Sequence, residues 1–244
     1  TVGWKGLIND PHLDGTHNIE EGLRLARKIL LQINELGMPC ATEFLDPIVP
    51  QYTSDLVTWA AIGARTTESQ THRQMASGLS MPVGFKNATD GSIQVALDAM
   101  VAGMQPHAFV GIDMAGQTAE VNTKGNPDVH LILRGGGGLA NCSRAHVAYT
   151  KVMLEKHTNQ RLIMVDCSHG NSLKDFRKQP DVFREMMSQK LAGEEALLGV
   201  MVESNLVEGK QKQSDNMVYG KSITDGCIGW ETTEDLLLEA HSQL

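Results

Sequence analysis

The chain has no apolar run of membrane length. Its longest, Ala196 to Val202, has seven residues, against the ~20 that a spanning helix needs, so no membrane association is expected. It also lacks an excess of basic residues. The 21 Lys and Arg against 29 Asp and Glu leave a formal net charge of −8, which excludes general polyanion binding and removes nucleic acid from the expected partners. The opening Thr1-Val2-Gly3-Trp4-Lys5 carries neither the basic segment nor the apolar stretch of a secretion signal. Cysteine is scarce, four residues scattered through the chain, so a reducing cytoplasm is the expected compartment. No proline- or serine-rich linker and no sequence repeat divides the chain. What remains is 244 residues, 41% hydrophobic and 20% charged, the composition of one globular domain covering residues 1–244.

Short β-rich runs alternate with amphipathic stretches, which predicts α/β structure built from repeated β-α units. Six strands are expected near Cys40–Leu45, Trp59–Arg65, Met81–Lys86, His130–Arg134, Leu162–Asp166 and Gly199–Glu203. Helices are expected over Ile19–Glu35, Thr67–Leu79, Ser92–Ala102, Ser143–His157, Asp181–Leu191 and Thr233–Ser242. The alternation breaks once. Ala108–Asp113 and Ala119–Thr123 read as two strands joined at Gly116, an inserted hairpin over about 108–123. Six β-α units fall two short of a closed eightfold barrel.

Polar residues recur at the carboxyl ends of the expected strands: Glu43, Arg65, Lys86, Arg134, His169 and Glu203. In α/β folds that edge binds ligands, so one site is implied. For any one of them a solvated strand end or ion pair is the simpler account; six together weaken it. Arg65, Lys86 and Arg134 each follow an apolar strand, a costly place for a cation that suits a small phosphorylated acid. His169, Glu203 and Asp225 supply one imidazole and two carboxylates from three segments, a donor set for a divalent transition metal, with a hydrogen-bonded histidine beside an acidic strand end as the competing account. Cys167 is read as core. Gly135-Gly136-Gly137-Gly138-Leu139-Ala140 fits a loose G-x-G-x-x-A pattern, but no acidic residue ends a following strand as a dinucleotide ribose would require.

Five segments carry a resemblance: Gly63–Gln70, Pro82–Asn87, Ile132–Gly136, Asp166–Ser172 and Ser222–Asp225. In order and in length they resemble type I 3-deoxy-D-arabino-heptulosonate 7-phosphate (DAHP) synthase, and the likeness runs from Thr1 to Leu244. The resemblance implies a (β/α)8 TIM barrel, here with about six of its eight units. It implies condensation of phosphoenolpyruvate with erythrose 4-phosphate, the first step of the shikimate pathway. Arg65, Lys86 and Arg134 would hold phosphoenolpyruvate, with Glu43, Lys86 and His169 at the reacting centre. His169, Glu203 and Asp225 would hold a divalent metal ion (Mn, Fe, Zn or Co), and Asp225 would also face substrate. A homo-oligomer and an aromatic effector are implied too. The likeness is greatest to the tyrosine-sensitive form, with Pro50, Gln51, Ser80 and Gly111 near the effector.

Two family features, a Lys-Pro-Arg-Thr motif and a cysteine metal ligand upstream of the position of Thr1, are not in this chain, and Gly137 stands where a lysine often follows Arg-Gly-Gly. The sequence therefore looks truncated at its amino-terminal side, and the 244-residue chain alone is expected to be inactive. The alternative is a non-catalytic phosphometabolite-binding protein, or a vestigial fragment, of the same fold.

Overall fold

The computed structural model describes residues 4–113 and 115–244. By its internal contacts the chain divides into two compact units, residues 1–83 with 102–128, and residues 84–101 with 129–244.

In the first unit, helix α1 (Ile19–Glu35) starts at Asn18, whose side chain accepts from the Glu21 amide, and Glu20 and Glu21 face the positive end of its dipole. Gly22 has a structural reason: a Cβ there would lie 2.1 Å from the Ile8 carbonyl oxygen of the preceding loop. Strand β1 (Ala41–Glu43) pairs in parallel with β2 (Trp59–Ile62), Ala41 opposite Trp59. The short helix α2 (Pro50–Thr53) lies between them in sequence. Ala60 N–H donates to the Pro82 carbonyl, just ahead of β3 (Val83–Lys86), which runs on into the second unit. Helix α3 (Gln70–Gly78) is capped by the Ser69 hydroxyl. After helix α4 (Gln94–Gly103), β4 (Ala108–Ile112) and β5 (Thr118–Asn122) form an antiparallel pair with Gly111 opposite Ala119. Buried Asn126 donates to Ala76 and Met81 carbonyls, fixing the return of the chain after the hairpin.

In the second unit, β3 is followed in the sheet by β6 (Val129–Leu133), β7 (Ile163–Asp166) and β8 (Leu197–Met201). The β6–β7 and β7–β8 pairs are parallel, Leu131 opposite Ile163 and Val165 opposite Val200. Every residue of β3 and β6 is buried, as continuous apolar runs require when both faces of a strand are covered. Helices α5 (Arg144–His157) and α6 (Gln179–Leu191) follow β6 and β7, and Leu97, Met100, Leu154, Phe183 and Met186 are buried in the core. A small parallel pair, β9 (Val207–Lys210) with β10 (Lys221–Ser222), precedes helix α7 (Trp230–Gln243).

The six expected β-α strands are therefore present as β1, β2, β3, β6, β7 and β8, with shifted ends. The second strand stops at Ile62, so Gly63–Arg65 lies in a turn, and β8 begins at Leu197 rather than Gly199. All four cysteines are free and buried; burial raises the thiols of Cys142, Cys167 and Cys227, and Cys167 is core. No helix among the described residues is long and apolar enough to cross a membrane.

Candidate active site

The loop after β7 places His169 in the left-handed region, φ +48°. For a residue with a Cβ this costs roughly 1 kcal/mol, and surrounding hydrogen bonds hold it there. Its Nδ1 lies 2.9 Å from the Oδ2 of Asp166, the last residue of β7. The other ring nitrogen, Nε2, is 3.5 Å from Glu203 Oε1 and 4.0 Å from Asp225 Oδ2. One ligand atom from each of His169, Glu203 and Asp225 lies within 4.8 Å of the other two. The metal set read from three distant segments is thus brought together.

Each member is held by its own local structure. Buried Gln179, the first residue of α6, donates to the Glu203 carbonyl at 3.1 Å and accepts from the Glu203 amide at 2.7 Å. Asp225 follows the Ser222–Thr224 turn at the end of β10, where the Thr224 amide donates to the Ser222 hydroxyl. Its side chain is exposed. Lys86, the last residue of β3, points its ammonium at Asp166 Oδ2 at 3.0 Å, with both side chains buried.

The electrostatics are uneven. Burial alone would raise the Asp166 carboxyl, but the His169 hydrogen bond and the Lys86 ammonium outweigh it and hold it down at about 2. Glu203 moves the other way: burial raises it, the Asp225 and Asp166 carboxylates raise it further, and His169 only partly opposes them. Its Oε2 is buried without a hydrogen-bond partner. A buried carboxylate oxygen without a partner, beside a second carboxylate and an imidazole nitrogen, is a place that a cation would complete. The residues present therefore fit a divalent metal. Asp166, which sequence reasoning left unassigned, fixes the His169 ring so that Nε2 faces the carboxylates, as an outer carboxylate does for metal-binding histidines. Asp166 ends a strand three residues before His169, but that position alone does not separate a positioning carboxylate from a solvated strand end.

Arg134 follows β6 in the same unit and is half-buried. The glycines after it do not form a pyrophosphate cradle. The Gly135 amide donates to Asn141, that of Gly136 to the Leu139 carbonyl and that of Gly137 to the Thr89 carbonyl, so three donors a phosphate would need are already engaged.

Glu43 and Arg65 belong to the first unit. The Glu43 carboxylate rests against Gly63, where a Cβ would lie 2.1 Å from its Oε1, and Arg65 is exposed in the turn that follows. That unit also contains a cavity of about 770 Å³ bounded by α2, the end of α3 and the hairpin, with Pro50, Gln51, Phe109, Gly111 and Val121 among its lining residues. Three of the four expected effector residues meet there. Ser80 does not line it; after α3 the lining reaches only to Leu79 before resuming at Phe109, and Ser80 is exposed.

Comparison with known proteins bears on all of this. The DAHP synthetase I family matches residues 1–238. The chain belongs to this family. It is 56% identical over 247 residues to the Tyr-sensitive phospho-2-dehydro-3-deoxyheptonate aldolase of Escherichia coli (strain K12), covering 100% of this chain and 69% of that protein. It is 57% identical over 239 residues to the Phe-sensitive enzyme of the same strain, covering 97% and 68%. The solved phospho-2-dehydro-3-deoxyheptonate aldolase of Francisella tularensis SCHU S4 matches with a TM-score of 0.95 and 48% identity, over 100% of this chain and 71% of that one. The α/β architecture is that of the DAHP synthase TIM barrel. Reactions of the DAHP synthase family condense phosphoenolpyruvate with erythrose 4-phosphate at the entry to aromatic amino acid biosynthesis.

Proposed function

We propose that the chain performs the DAHP synthase reaction through the cluster around His169, in the protein of which it forms part. Arg65, Lys86 and Arg134 hold phosphoenolpyruvate: the two guanidinium forks suit phosphate and carboxylate oxygens, and the Lys86 ammonium adds a charge fixed by Asp166. Glu43 lies close to the reacting carbons. His169, Glu203 and Asp225 hold a divalent ion, Mn, Fe, Zn or Co, and Asp225, the most exposed of the three, also faces substrate. When bound, that ion supplies Lewis acidity toward the aldehyde of erythrose 4-phosphate. A bond forms between C3 of the enol phosphate and the aldehyde carbon, water adds at C2, and phosphate leaves. The protein's part is to orient two anionic substrates and to present cations where charge develops.

The observation that carries this reading is the meeting of His169 Nε2 with Glu203 and Asp225 beside the partnerless Glu203 Oε2. The test is Mn²⁺ titration of the chain and of His169→Ala. The variant is expected to bind at least tenfold more weakly; equal affinity in the two would remove His169 from the ligand set.

Finer parts of the proposal rest on different support. The relatives named for sensitivity to tyrosine and phenylalanine, together with the cavity at Pro50, Gln51 and Gly111, support an aromatic amino acid effector, and we assign tyrosine on the room that Gly111, without a side chain, leaves for a phenol oxygen. The two identities are nearly equal and do not choose between effectors. We further propose a cytoplasmic homo-oligomer, and a single barrel domain that the 244-residue chain makes up in part.

A further inference from the structure

Three buried asparagines lie behind Arg134, and the reaction as proposed does not use them. Asn87 follows β3, Asn141 precedes α5 and Asn171 lies in the loop after β7; their exposures are 0%, 9% and 5%. Asn87 Oδ1 accepts from the Arg134 amide at 2.7 Å and from Asn141 Nδ2 at 3.1 Å, and Asn87 Nδ2 donates to the Gly135 carbonyl. Asn141 Oδ1 accepts from the Gly135 amide at 2.7 Å. Asn171 Oδ1 accepts from the Asn141 amide at 2.8 Å, and its Nδ2 donates to the carbonyls of Leu133 and Asp166.

The two peptide groups flanking Arg134 are therefore held from several directions. Its amide is bound by Asn87, its carbonyl accepts from the Gly170 amide at 2.9 Å, and the next residue is bound by Asn141. Three side-chain amides engaged with backbone and with one another form a network whose members support each other and cannot easily re-pair. An arginine has long, flexible side-chain torsions. Fixing its backbone leaves only those torsions to be ordered when an anion binds.

We propose that Asn87, Asn141 and Asn171 are positioning residues that hold the backbone of Arg134 in the conformation that grips the phosphorylated acid. The proposal rests on the reading that Arg134 binds phosphoenolpyruvate. Asn141→Ala is the selective variant, because it removes only the bonds to Gly135 and Asn87 and leaves the backbone bond to Asn171.

The experiment is a double-mutant cycle on phosphoenolpyruvate affinity, measured calorimetrically on the full chain at saturating Mn²⁺. Asn141→Ala is expected to weaken binding about tenfold, the scale of one buried polar group left without its partner. In an Arg134→Ala background the same change is expected to weaken it less than twofold, because Asn141 acts through Arg134. Mn²⁺ affinity should stay within twofold. Additive losses in the cycle, an unchanged affinity for phosphoenolpyruvate, or equal loosening of Mn²⁺ would each overturn the proposal. If Arg134→Ala alone leaves binding intact, the underlying assignment of Arg134 fails instead, and the positioning role falls with it. Where Asn141→Ala does not fold, Asn141→Ser goes through the same cycle with an expected loss of about threefold.

Discussion

Asp166 shows how one side chain sets the behaviour of its neighbours. It is shared by Lys86 and His169, and its carboxyl is held at about 2 against an ordinary 3.8. A carboxyl lowered on folding binds its proton more readily in the unfolded chain. Its contribution is thus fully present above about pH 4 and is lost as pH falls toward 2, about 2 kcal/mol in size. Asp166→Asn removes that titration. In urea unfolding with EDTA present, the variant is expected to be about 2 kcal/mol less stable at neutral pH, with the difference from the parent shrinking steadily between pH 4 and pH 2. A constant difference across that range would show that the Asp166 charge is not responsible. The same residue marks the limit of sequence reading at this scale. His169 and Glu203 could be singled out from residue type and strand position, and Asp225 from residue type together with the Ser222–Asp225 resemblance. Asp166 and Gln179 could not, because what they do depends on distances to partners that numbering does not encode.

The elements were largely legible, for a physical reason: strands buried on both faces are continuous apolar runs, and helices with one wet face carry a period. The antiparallel hairpin announced itself through Gly116. The β9–β10 pair did not, because Val207–Lys210 and Lys221–Ser222 are too short and too polar to show either pattern. The loops were the least legible part, and glycine is where they are decided. Gly135 and Gly170 touch: a Cβ on Gly135 would lie 2.6 Å from the Gly170 carbonyl carbon, whereas a Cβ on Gly138 meets nothing within 4 Å. Both Gly135 and Gly138 have positive φ, +66° and +80°. Gly138→Ala should therefore cost only the conformational strain, roughly 1 kcal/mol. Gly135→Ala adds overlap with backbone that cannot rotate away, and should cost roughly 3 kcal/mol or more. Thermal unfolding of the two variants checks the order, and equal losses would contradict the close approach.

Gly111 poses a milder version of the same question. A Cβ there would lie 2.8 Å from Val121 Cγ2, the end of a side chain that can shift. Gly111→Ser should then be tolerated and should narrow the cavity. In the complete enzyme, tyrosine is expected to inhibit more strongly than phenylalanine, and the serine variant to lose that preference. Stronger inhibition by phenylalanine in the parent, or an unaltered preference in the variant, would sink the assignment of tyrosine.

At the scale of the whole molecule, the open strands matter most. Among the described residues β1 has a sheet neighbour only in β2, and β8 only in β7. Unpaired strand edges invite association with other chains. The 244-residue chain alone is expected to associate with itself in a concentration-dependent way during sedimentation, and to release phosphate from its substrates far below the ~1 s⁻¹ at which ordinary enzymes begin. Turnover at or above that rate from a dispersed monomer would show that these edges need no further strands. The buried thiols offer a view of such openings. Cys40 lies in one unit and Cys142, Cys167 and Cys227 in the other, all out of solvent. A reagent can reach them only when the surrounding structure opens. Four buried cysteines thus serve as a built-in clock, able to time separately how often each unit comes apart.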